Sequence, residues 1–112
     1  MHPLRDLIRN QTLMSDLANS YGTPSYVYDQ TRLNHNLSKL NSTLKTYFEK
    51  YHICYAVKAN SNPHLLKIMR STLPNIGGDC SSPGEIYAAQ RSGIKLRNCI
   101  YTGNYESVSD LS

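Results

Sequence analysis

The stretch Cys54-Tyr55-Ala56-Val57-Lys58-Ala59-Asn60-Ser61-Asn62-Pro63-His64, CYAVKANSNPH, decides how the chain is read. The apolar run from His52 to Val57 has the length of a strand, and a lysine follows it directly. Asn62-Pro63 then offers an N-cap and a proline at the first helical position. The next residues carry Leu65, Leu66, Ile68, Met69 and Leu73, the apolar face of an amphipathic helix. Strand, short loop and helix make one βα unit with a primary amine at its junction.

The same order of signals recurs downstream. Asn75 to Cys80 reads as a second strand. Ser82-Pro83-Gly84-Glu85 is a proline start and a capping box, with Ser82 and Glu85 in reciprocal positions. Ile86 to Ser92 is its helix and Gly93 the stop. Asn98 to Thr102 reads as a third strand, and Ser107 or Ser109 would open a further helix. Strands start near residues 52, 75 and 98, a repeat of about 23 residues, which suits right-handed βαβ units in a parallel sheet.

Upstream, Leu13 to Ser20 predicts a helix stopped at Gly22. Ser25 to Tyr28 predicts a short aromatic strand, and Asp29 caps the next helix. That helix carries an apolar stripe of Leu33, Leu37, Leu40, Leu44, Phe48 and Tyr51. Parallel strands need cover on both faces, and three of them do not close. The expected fold is therefore α/β: the N-terminal portion of a TIM-type (β/α)8 barrel, about three βα units, where a complete barrel takes about 250 residues. Residues 1–29 are expected to form a helix and short strand that would pack with a C-terminal β-domain absent here, and 30–112 the partial barrel. An incomplete barrel leaves an unpaired edge at each end of its sheet, so low stability or solubility is expected of the chain alone.

Composition excludes several classes. The 112 residues carry a net charge of +4, but the basic residues are scattered, so no nucleic-acid partner is expected. Arg5, Asp6 and Arg9 break up the first ten residues, against a signal peptide. No window has the apolar length of a membrane span. Cys54, Cys80 and Cys99 are widely and unequally spaced with no CxxC, so neither a metal site nor a disulfide framework is expected. Reduced, buried thiols in a cytoplasmic protein fit that pattern. Nine tyrosines and no tryptophan read as packing residues.

Lys58 falls where a parallel strand ends and a βα loop begins, the face that hosts active sites in α/β barrels. Strand alternation would put Ala56 on the same side, leaving room for something flat. A lysine amine partly removed from water can attack a carbonyl carbon. Position alone is equally met by a lysine that snorkels from a strand end into solvent.

Four segments occur in order: YGTPSYVYD (Tyr21–Asp29), YAVKANSNPHLLK (Tyr55–Lys67), GGDCSSPGEIYAAQRSGI (Gly77–Ile94) and IYTGNYES (Ile100–Ser107). Together they resemble the start of the diaminopimelate, ornithine and arginine decarboxylases, pyridoxal-phosphate enzymes with an alanine-racemase-like barrel. The resemblance spans residues 13 to 112, and the opening phrase is most similar to that of diaminopimelate decarboxylases. Alanine racemases share the fold but follow their lysine with Tyr-Gly-His-Gly, where this chain has Ser61-Asn62-Pro63-His64.

The resemblance implies that Lys58 forms a Schiff base with pyridoxal phosphate, with Ala56 beside it and Asp79 close to the cofactor. Glu85 matches a family position, although its capping box already explains it. Asn104 falls at the barrel mouth, where a turn residue fits as well. His64 reads as a partly exposed helix residue. The implied reaction is decarboxylation of an amino acid, meso-diaminopimelate to lysine, by a homodimer. An ornithine or arginine decarboxylase, and a non-catalytic remnant of the fold, stand as alternatives. The resemblance also implies a phosphate-holding glycine loop, a glutamate on the pyridine nitrogen and a C-terminal β-domain, none of which is found in these 112 residues. Gly77-Gly78 does not replace that loop, because it lies in a strand entry and not before a helix. Activity of the chain alone is therefore not expected.

Overall fold

The computed structural model describes residues 7–104 and 107–110. Helix α1 (Gln11–Tyr21) starts at Asn10, whose side chain accepts the Leu13 N–H at 3.0 Å. It stops at Gly22, where φ of +82° is a conformation that glycine adopts freely. Helix α2 (Gln30–Tyr47) is capped by Asp29, which accepts the Arg32 N–H at 3.2 Å. Between the two helices, Ser25–Tyr28 is not a strand. The aromatic, β-branched composition predicted one, but among the described residues no strand pairs with it, and Tyr26 and Tyr28 stand exposed.

Strand β1 (Cys54–Ala56) leads through a 3-10 turn, Val57–Ala59, to helix α3 (Pro63–Thr72). Strand β2 (Gly77–Cys80) leads to helix α4 (Pro83–Arg91), and a second 3-10 turn at Leu96–Asn98 precedes strand β3 (Ile100–Tyr101). The sheet is wholly parallel in the order β1-β2-β3, as the repeat predicted. The strands are shorter than the apolar runs because pairing begins only at Cys54, Gly77 and Ile100. The further helix expected at Ser107 or Ser109 is a 3-10 turn, Val108–Asp110; residues 105, 106, 111 and 112 lie outside the described residues.

Alternation divides the sheet into two faces. A Cβ at Gly78 would meet Val57, Cys80 and Ala89 of α4, so that face turns to the helices. The core there consists of Val57, Leu66, Met69, Ile76, Cys80, Ala89 and Ile94, with Leu33 and Leu37 of α2 packed against it. The predicted stripe of α2 departs from this core lower down. Leu40 is 46% and Phe48 56% exposed, because the helix runs past the short sheet and ends at Tyr47. The opposite face carries Cys54 beside Gly77, then a row of Ala56, Asp79 and Ile100 in register. Ile100 is half-exposed there.

Candidate active site

Lys58 is not a strand residue. β1 ends at Ala56, and the chain folds into the 3-10 turn before the alternation reaches position 58. The cause is Val57, whose side chain is fully buried in the core and anchors the turn. Lys58 is left exposed just past the C-terminal end of β1. The expected location holds, while the expected sharing of one strand face with Ala56 does not. Among the described residues the Lys58 amine makes no hydrogen bond or ion pair.

Asp79 occupies the central strand between Ala56 and Ile100. It is half-buried, and the Thr102 hydroxyl donates to its Oδ1 at 2.6 Å. The Thr102 N–H in turn donates to the Cys80 carbonyl at 2.8 Å, extending the ladder by one bond and fixing where that hydroxyl stands. Sequence reasoning missed Thr102. Its signal was its position two residues after Ile100, on the same strand face, but the register that sets it beside Asp79 is not readable from one chain.

The other candidates are engaged locally or stand exposed. The Glu85 carboxylate accepts the Ser81 N–H at 2.8 Å, and the Ser82 hydroxyl accepts the Glu85 N–H at 3.3 Å. The capping exchange is therefore present but shifted by one residue, and it employs Glu85 in holding the β2–α4 loop. His64 is an exposed first-turn residue whose N–H goes to the Asn62 side chain at 2.9 Å. Asn104 is exposed in a bend after β3. All three cysteines are free thiols. Burial pushes Cys80 up to about 11, and burial also raises Cys54. Both stay protonated near neutral pH, so neither is a ready nucleophile. Among the described residues no group of three metal-ligating side chains converges, and no helix is long and apolar enough to cross a membrane.

A cleft of ≈ 260 Å³ lies at the other end of the strands, between Asn41, Tyr51, His52, Leu73 and Asn75. That end of an α/β barrel serves stability and not chemistry. The mouth end is open instead. It presents an exposed amine, a small residue, and a carboxylate oriented by a hydroxyl. This donor set fits pyridoxal phosphate at its aldehyde and ring. It includes no anion cradle, because the first-turn N–H groups of His64 and Glu85 are taken by their own caps.

Comparison with known proteins bears on this arrangement. The family described as "Pyridoxal-dependent decarboxylase, pyridoxal binding domain" matches residues 33–112. The chain is 37% identical over 89 residues to the diaminopimelate decarboxylase of Methanothermobacter thermautotrophicus, covering 80% of this chain and 20% of that one. It is 35% identical over 106 residues to the diaminopimelate decarboxylase of Aquifex aeolicus, covering 88% and 22%. Among solved structures, diaminopimelate decarboxylase from M. jannaschi superposes with a TM-score of 0.78 at 26% identity, covering 86% of this chain and 23% of that one. The Helicobacter pylori enzyme complexed with L-lysine gives 0.71 at 32%, covering 88% and 24%. The chain spans about a fifth of the length of the curated relatives it matches.

Proposed function

The chain belongs to the pyridoxal-dependent decarboxylases, within their pyridoxal binding domain, and from that premise we propose that Lys58 is the residue that holds pyridoxal 5′-phosphate. The observation that carries the reading is an exposed lysine amine, without a partner among the described residues, just past the C-terminal end of a parallel strand. When bound, the group supplies an electron sink for the carbanion left as carbon dioxide departs from an amino acid. The rest is the work of this chain's own residues. Lys58 binds at its Nζ. Val57, buried beneath, keeps the turn that carries that atom in place. Ala56 leaves space at the end of β1. Asp79, held by the Thr102 hydroxyl, presents a carboxylate oxygen in a fixed position for a hydrogen-bond donor on the bound molecule.

The proposed substrate is meso-diaminopimelate and the product lysine. The names of the relatives and the L-lysine in the Helicobacter pylori structure support this choice. A homodimer in the cytoplasm completes the reading. The described residues supply amine and carboxylate without an anion cradle, so this chain alone is expected to release little or no carbon dioxide.

A chimera tests the proposal. The matching segment of the Aquifex aeolicus enzyme is replaced by this chain, and carbon dioxide release from carboxyl-labelled meso-diaminopimelate is followed. The expected result is release that Lys58→Ala lowers by roughly a thousandfold or more, as for loss of a covalent catalyst. Preferential release from ornithine or arginine would overturn the substrate. Full activity in Lys58→Ala would overturn the role of the lysine.

A further inference from the structure

The turn that carries Lys58 is tied to a distant part of the chain through one side chain. Asn60 is half-buried, whereas Lys58, Ala59, Ser61 and Asn62 around it are all exposed. Its Oδ1 accepts the Asn62 N–H at 3.0 Å, and its Nδ2 donates to the Tyr28 hydroxyl at 2.8 Å. Its carbonyl accepts from the Tyr55 hydroxyl at 3.3 Å. The backbone N–H of Asn62 can only donate, so it fixes which end of the amide faces Tyr28. Burial raises the Tyr55 phenol above its ordinary 10.0, which keeps it protonated and donating near neutral pH.

These bonds join three separate pieces of sequence. Tyr55 lies on β1, Asn60 two residues past Lys58, and Tyr28 in the segment between α1 and α2 that pairs with none of the described strands. Tyr28 is itself 54% exposed, so packing alone does not explain where its hydroxyl sits. The bond to Asn60 does.

We propose that Asn60 is a positioning residue for Lys58: clamped between Tyr28 and Tyr55, it holds the turn so that the amine faces the strand ends. The inference rests on the reading of Lys58 as the cofactor-bearing residue. It adds that the segment before α2 acts on the site at a distance of thirty residues in sequence (Lys58 minus Tyr28). A loop held by hydrogen bonds at two points samples fewer orientations, and a nucleophile so held meets its target more often.

The test compares the unaltered chain with Asn60→Ala, Tyr28→Phe and Asn60→Asp. Phenylalanine keeps the exposed ring of Tyr28 and removes only the hydroxyl, so it remains informative if Asn60→Ala does not fold. Aspartate still accepts from the Asn62 N–H and accepts from Tyr28 as donor, so it serves as the rescue. Two quantities are read. One is amide hydrogen exchange over residues 58–62. The other is the share of borohydride-fixed pyridoxal phosphate on Lys58 relative to the other five lysines. In Asn60→Ala and Tyr28→Phe, exchange is expected to quicken and the Lys58 share to fall by about fivefold, the change one net hydrogen bond is worth. Asn60→Asp is expected to restore both. Faster exchange with an unchanged Lys58 share would make Asn60 a merely structural tie and overturn the inference, as would no change in either. If the unaltered chain itself shows no preference for Lys58, the cofactor reading fails first and takes the inference with it. If it does and the variants match it, only the inference fails.

Discussion

Cys80 closes β2 with its side chain fully buried against α4, one residue beyond Asp79. Burial is the largest cause of its raised pKa, about 11 against 9.0, with Cys99, Glu85 and Asp79 adding to it. The folded chain holds this proton more tightly than the unfolded chain does. The contribution to stability is complete below pH 9.0 and is lost as the pH rises through about 11. The same shift leaves about a hundredfold less thiolate at pH 8 than an ordinary thiol has. Alkylation of Cys80 at pH 8, followed by peptide mapping, is therefore expected to be at least that much slower in the folded chain than in denaturant. Equal rates would contradict the burial. At this scale the positions of Lys58 and Asp79 were legible, because one follows a readable strand and the other lies inside one. Thr102 and Asn60 were not, since what distinguishes them is a partner 23 or 32 residues away.

The elements were legible wherever a local interaction sets them. Asp29, Asn62 and Ser82 all cap helices as read, because a short polar side chain before a helical run satisfies an orphan N–H. Strand lengths were less legible, because pairing is set by the neighbour and not by the run itself. Ser25–Tyr28 has a strand's composition and no partner. The 3-10 turn at Lys58 depends on the burial of Val57, a tertiary fact. β2 also depends on a close approach. A Cβ at Gly77 would collide with the Asn98 carbonyl oxygen and crowd the Cys54 sulfur. That carbonyl also meets His52 Nε2 at 2.8 Å, so it is not free to give way. Gly77→Ala is expected to destabilise the chain by about 1–3 kcal/mol, the usual range for overpacking. At Gly84, in the first turn of α4, only the Ser82 hydroxyl lies near, at 3.9 Å, and alanine is expected to be neutral or stabilising there. Urea midpoints compare the two, and equal midpoints would contradict the account of β2.

On the scale of the whole molecule, the 23-residue repeat foretold the parallel βαβ arrangement, and β1 and β3 stand as the outer strands of the described sheet. The radius of gyration is 16.9 Å, against about 13 Å for a self-contained domain near this size. The excess agrees with a sheet that has helices on one face while the other bears Ala56, Asp79 and a half-exposed Ile100. That face and the strand ends above it are where the account locates its chemistry. The site is legible as one amine and one carboxylate; a cradle for the phosphate is not among the described residues. The central claim concerns Lys58, and covalent mapping tests it most directly. The chain is incubated with pyridoxal 5′-phosphate, reduced with borohydride, digested and analysed by mass spectrometry. Lys39, Lys45, Lys50, Lys67 and Lys95 are all exposed and serve as internal controls. The account predicts that the label concentrates on Lys58; label spread over the six lysines with no excess at Lys58 would contradict it.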